Sequence, residues 1–262
     1  MPKRRTCRGL RLDRLGVCME AAHQIRDAVA QVSQLRDSCA SDVALHAAVS
    51  TVKALQARRF AGTYADLLSG GGHAAAARFF LEELYSDKDY AERDAQFSRI
   101  AGAVQRLFPQ QVTATAVALA QLHLLTERLD HDMGHAWIGT VGTEAGRYVD
   151  AWRIVGRRDE REEQLHVVLG IGQEMIKLTR TPGLRLMLKM MRAPAAAAGL
   201  ASLQGFLEAG FDTFGAMARK KGDAESFLHT VAKREAALIT MLFDAQAVAC
   251  ETELQRTLGL AR

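Results

Sequence analysis

Apolar side chains recur along this chain at spacings of three and four, and no alternating run of β-branched residues bounded by turns is long enough to make a strand. The pattern predicts an all-α protein. A first helix over 11–36 carries Ile25, Val29 and Val32 on one face. Ser41 or Asp42 caps a second over 42–68, whose stripe runs Leu45, Val49, Val52, Phe60, Tyr64 and Leu67/Leu68 until Gly70, Gly71 and Gly72 stop it. A short helix over 74–86 is followed by a turn at 86–89, and Asp89 caps a helix over 90–108 with Phe97, Ile100, Val104 and Leu107/Phe108 on its apolar side. Pro109 opens a long helix over 109–132, after which Gly134, Gly139 and Gly142 mark a loop. Helices over 143–155 and 159–180 come next, the second capped by Asp159 with Glu160, Glu162 and Glu163 near the positive end of its dipole. Thr181-Pro182 reads as the cap and first turn of a short helix ending before Pro194, and 194–219 and 223–258 form two more long helices.

No fixed-period repeat recurs and no linker separates two compositions, so the expectation is a single-domain bundle of about seven to nine helices with short connecting loops. Residues 1–40 form a basic N-terminal extension and helix, partly disordered by its own charge, and 41–262 form the helical domain.

Composition agrees with this reading and narrows function mainly by exclusion. With 262 residues, 48% of them apolar and 24% charged, the chain has the make-up of a soluble globular protein. The net charge of +4 is concentrated in Lys3, Arg4, Arg5, Arg8, Arg11 and Arg14 against Asp13. The basic character therefore marks a terminal tail rather than a nucleic-acid-binding face, and nucleic acid is not the expected partner. No apolar core of a secretory signal follows the tail. Pro109, Gln110, Gln111, Thr113, Gln121 and His123 interrupt the longest uncharged run, 107–126, so no transmembrane segment is expected. Cys7, Cys18, Cys39 and Cys250 are scattered without zinc-knuckle or disulfide-scaffold spacing, which fits reduced thiols in a cytoplasmic protein.

The run Phe79-Phe80-Leu81-Glu82-Glu83-Leu84-Tyr85, with Asp89-Tyr90 and Arg93-Asp94-Ala95-Gln96-Phe97 after it, resembles a family of uncharacterised bacterial all-helical proteins, a domain of unknown function. Later segments share the resemblance: 122–130 around His123 and Glu127, Ala151-Trp152-Arg153-Ile154-Val155-Gly156, and Gly210-Phe211-Asp212-Thr213-Phe214. It covers residues 55–245 and implies a bacterial, cytoplasmic helical domain, bringing no chemistry with it.

Chemistry must therefore be sought in the residues. Glu20 with His23, and Glu163 with His166, have the Glu-x-x-His spacing of ferritin-like di-iron bundles, although surface or capping roles explain the same pairs without a metal. His123, Glu127, Asp130, His131, Asp132 and His135 crowd the end of the helix over 109–132, where His123 and Glu127, and again His131 and His135, lie four apart. Imidazole is a common metal donor, so His123, Glu127, His131, Glu163 and His166 make a candidate set for iron or haem. The competing reading is a helix C-terminus whose histidines satisfy the last carbonyls.

A third group, Arg78, Glu82, Tyr85, Arg93 and Asp94, stands among Phe79, Phe80, Tyr90 and Phe97. Aromatics around paired charges can wall a ligand pocket in which Glu82 or Asp94 titrates high and serves as acid or base. Otherwise the phenylalanines wedge a short helix into the core while the charges pair at its rim. Last, Arg185, Lys189 and Arg192 share one face of a short methionine-rich helix, a candidate contact for an anionic surface, or simply a solvated basic side. Gly-x-Ser-x-Gly, Walker and Rossmann fingerprints are missing. The sequence favours a cytoplasmic helical protein that binds a small ligand or a protein partner, in regulation or as an adaptor, with no cofactor. The alternative is a metal- or haem-dependent helical enzyme of ferritin-like or haem-oxygenase-like type.

Overall fold

The computed structural model describes residues 9–85 and 90–261, with side chains from Glu20 onward. Among these residues every regular element is helical. The elements are α1 (Gly9–Ser41), α2 (Val43–Thr63), α3 (Ala65–Leu68), α4 (Ala74–Glu83), α5 (Ala91–Leu107), α6 (Gln110–Ile138), α7 (Glu144–Val155), α8 (Arg158–Thr179), α9 (Leu184–Met190), α10 (Arg192–Ala197), α11 (Ala201–Met217), α12 (Asp223–Asp244) and α13 (Ala247–Gly259). The described residues thus hold more helices than the seven to nine expected, because three of the long helices break where the chain leaves helical geometry. The predicted 42–68 divides at Tyr64, and 223–258 divides at Ala245, whose ψ of 163° is extended. Gly199, with φ +66°, separates α10 from α11 inside the predicted 194–219.

The expected cap at Asp42 is present: its Oδ1 accepts from the amides of Ala44 at 2.9 Å and Leu45 at 3.1 Å. Asp159 instead lies within the first turn of α8, after a connection in which Gly156 and Arg157 both have positive φ. Arg157 is held in that sparse region by ion pairs to Asp132 and Glu160. Helix α9 is entered through left-handed Gly183 rather than through a Thr181-Pro182 first turn. The expected turn at 86–89 and the cap at Asp89 lie outside the described residues, as does most of the basic tail.

Helix α6 is the central element, packing against α1, α2, α5, α7 and α8. It runs on past the predicted end at 132 to Ile138, so Gly134 is helical and not part of a loop. The reason is packing. A Cβ at Gly134 would stand 2.4 Å from Val49 Cγ2, so the glycine permits the close crossing of α2 over α6. The buried apolar residues form three clusters. One gathers Trp137, Tyr148, Trp152 and Leu242 where α6, α7, α12 and α13 meet. A second gathers Phe60, Tyr64, Phe80 and Phe227, and a third packs Ile25 and Val32 of α1 on Ala101, Ala120 and Leu124. No described helix is long and apolar enough to cross a membrane.

Candidate functional site

Between the clusters lies a cavity of about 160 Å³ with an unusually charged wall. Its polar residues come from successive turns of different helices: Lys53, Gln56 and Arg59 from α2; His123, Glu127 and Asp130 from α6; Tyr148 and Trp152 from α7; Arg161 and Gln164 from α8; and Glu235 from α12. Each set has three- or four-residue spacing, so one face of each helix supplies it.

Most of these charges are paired. Arg59 Nη1 lies 2.6 Å from Glu235 Oε1, which also accepts from Tyr64 Oη at 2.9 Å. Lys53 Nζ lies between the two Glu127 oxygens at 2.8 and 2.9 Å. Burial alone would lower the Lys53 amine, but Asp130 and Glu127 outweigh it and hold the ammonium above its ordinary value. Gln56 Nε2 donates to Asp130 Oδ1 at 3.1 Å. Asp130 is only 4% exposed. Burial, with the neighbouring Glu127, pushes its carboxyl above the usual range despite Lys53 and Arg161.

Arg161 is the exception. It is 5% exposed, and its guanidinium lies over the Trp152 ring with 4.1 Å between Cζ and the centroid. Among the described residues none forms an ion pair with it, and its Nε and Nη2 find no acceptor. Burial lowers its guanidinium below the ordinary arginine value. Trp152 Nε1 and Arg59 Nε, in side chains of the same cavity lining, likewise have no acceptor among the described residues. The unmet groups of this wall are all donors.

The residues expected to wall a pocket are divided by the fold. Tyr85, Arg93 and Asp94 line the cavity, whereas Arg78 and Glu82 face outward and Glu83 lines it in their place. Arg93 stacks between Tyr90 at 3.8 Å and Phe206 at 4.4 Å while reaching Glu83 at 3.2 Å. Asp94 does not titrate high. Burial pushes it up, but His123 Nε2 and Arg36 Nη1, each 2.8 Å from its Oδ2, outweigh burial and hold the carboxyl below its usual range.

The five residues of the metal set are not brought together. His123 and Glu127 serve Asp94 and Lys53, His131 packs edge-on against His135 at 4.7 Å, and Glu163 and His166 are exposed. Glu20 and His23 are exposed as well, and His23 pairs with Asp27. Among the described residues no group of three or more histidine, cysteine or acidic side chains is arranged to hold a metal ion. Nor is the basic stripe free. Asp212 of α11 pairs with Arg185, and Glu208 of the same helix with Arg192, although all three cations, Lys189 included, are exposed. That contact with Arg192, joined by Gln204, lowers the Glu208 carboxyl to about 2.

Sequence reasoning missed the α2 contribution, Arg161 and Glu235. Lys53, Gln56 and Arg59 were visible as polar residues three apart on the border of an apolar stripe. Arg161 was hidden among the acids that open α8.

Residues 35–249, including every polar residue of this wall, match the family model described as Domain of unknown function (DUF8198). The chain belongs to that family. No curated protein and no solved structure matches it. For this DUF8198 chain, the cavity wall itself is what bears on function.

Proposed function

We propose that this protein binds a small organic acid in the polar cavity, with the carboxylate received by Arg161. The observation that carries the reading is the donor surplus. Arg161 Nε and Nη2, Trp152 Nε1 and Arg59 Nε belong to side chains of the cavity lining and have no acceptor among the described residues. An unmet buried donor costs about 1–3 kcal/mol, so a protein retains several together where an acceptor arrives from outside. A carboxylate has the acceptor geometry that matches a guanidinium fork. The wall's charges also set the ligand's charge. Lys53, Arg59 and Arg93 are each paired with an acid of the wall, Glu127, Glu235 and Glu83, and Asp94 is met by Arg36 and His123, so among the described residues Arg161 is the wall cation without an ion pair, and a ligand with a single negative charge answers it.

This reading narrows the small-ligand expectation from the sequence to an organic acid and takes the protein as a binding or regulatory one. The metal- or haem-dependent alternative gains no support from the placement of its donors. The test is thermal unfolding with butyrate, benzoate or inorganic phosphate, on the native chain and on Arg161→Met. Saturable stabilisation by the carboxylates, weaker with phosphate and lost in the variant, is the expected result. No shift with either carboxylate, or an equal shift in the variant, would overturn the reading.

A further inference from the structure

A second cavity of about 320 Å³ lies beside the first, and its wall is almost wholly apolar. Phe80, Leu84, Phe97, Leu122, Val168 and Phe206 face both cavities and so form the neck between them. Three helices cross the neck with the same change of character. On α8, Arg161 and Gln164 face the polar cavity, Val168 the neck, and Ile171, Met175 and Leu178 the apolar one. On α6, Glu127 and His123 give way to Leu122 and Leu119 and then to Ala116 and Val112. On α5, Arg93 and Asp94 give way to Phe97 and then to Ile100, Val104 and Leu107. All three gradients point the same way, so the two spaces make one site with a charged end and an oily end.

Resting on the organic-acid reading, we infer that the ligand is a single-chain aliphatic carboxylate, its head at Arg161 and its alkyl chain through the Phe97–Phe206 neck into the apolar cavity. The charge of the head follows from the unmatched guanidinium. The chain follows from a wall with scarcely a polar group to orient anything else, Gln204 being already engaged by the Leu188 carbonyl and Glu208. A planar or polyhydroxylated acid would leave the larger cavity unused or its own hydroxyls unpaired. The roof of the apolar cavity includes Leu184, Leu188 and Met191, carried on short helices between left-handed Gly183 and Gly199. Methionine and leucine side chains adapt to a flexible chain more readily than aromatic ones do.

The experiment is calorimetric titration of the full chain with saturated carboxylates from butyrate upward, each below its critical micelle concentration, alongside the matching primary alcohols. Affinity is expected to rise about fourfold per methylene, the value of one buried CH₂, and then to level off when the cavity is full. Alcohols of equal length are expected to bind at least tenfold more weakly, and Arg161→Met to remove that preference. Ala116→Met and Ala103→Met, which add bulk to the apolar wall, are expected to weaken the long acids far more than butyrate. If butyrate binds through Arg161 but longer chains gain nothing, the chain assignment falls and the organic-acid reading stands. If acids and alcohols bind alike and Arg161→Met changes neither, the head assignment and the organic-acid reading fall together. Because the length series uses the unmodified protein, it decides the matter even if neither alanine variant folds.

Discussion

Arg161→Met is expected to make the free protein more stable while abolishing carboxylate binding. Methionine matches arginine in length and flexibility and keeps an apolar contact with Trp152, so the change removes the charge and its donors more than the volume. In the native chain Nε and Nη2 lack acceptors, and each buried unmet donor costs about 1–3 kcal/mol. Against that gain stand the stack on Trp152, at about 0.5–2 kcal/mol, and the attraction to Asp130, which lies beyond ion-pair distance. The balance is a stabilisation of about 1–2 kcal/mol, in line with apolar replacement of buried charge. For a chain of this length that is a rise in Tm of roughly 2–8 °C. Urea unfolding followed by circular dichroism gives the free energy, and a carboxylate titration of the same sample gives the function. A loss of several kcal/mol would mean that the guanidinium is held by the fold, and the donor-surplus argument would be wrong.

Glu235→Ala leaves Arg59 buried without its counter-ion and Tyr64 without its acceptor, and is expected to cost about 3–5 kcal/mol in chemical denaturation. The glycines separate by what surrounds them. Gly62→Ala would set a Cβ 1.9 Å from the Thr257 carbonyl oxygen, and Gly134→Ala one 2.4 Å from Val49, so each should destabilise by about 1–3 kcal/mol or more, Gly62 the worse. Gly205→Ala, in open space on α11, should instead stabilise by up to about 1 kcal/mol, and equal effects at the three sites would refute the packing account. The two cavity aspartates carry opposite pH dependences. Asp94, held low, adds stability above the ordinary aspartate range that is lost as pH falls through its folded value. Asp130, held high, contributes stability that is complete at acid pH and lost as pH rises through its folded value. From about pH 3 to about pH 7, Asp130→Asn should therefore gain on the native chain and Asp94→Asn should lose, read as Tm against pH; parallel curves would count against both.

Helix periodicity made the architecture legible, because the stripes that include Ile25, Val32, Leu45 and Phe60 are set by the three-and-four spacing alone. What it mistook were places where a tertiary contact overrides a local signal. Gly134 looks like a helix end in sequence, yet it is a crossing point chosen for its missing side chain. Gly199, visible only as one glycine in a helical pattern, does end a helix. The site was legible at Tyr85, Arg93 and Asp94 because aromatics and charges cluster there in the chain itself. It was not legible at Arg161 or Glu235, whose neighbours in sequence are charged and mostly exposed. Only the packing of α8 and α12 against α2 and α6 distinguishes those two from the surface residues beside them.

The unmet donors around Arg161 also bear on how long the protein lasts. A chain that holds buried polar groups in reserve is less stable empty than filled, and any molecule that completes them raises the free energy of unfolding with its concentration. Protein quality control degrades chains according to how often they unfold, so the supply of that molecule would set the steady-state amount of the chain itself. Abundance would then track the ligand without any change in gene expression.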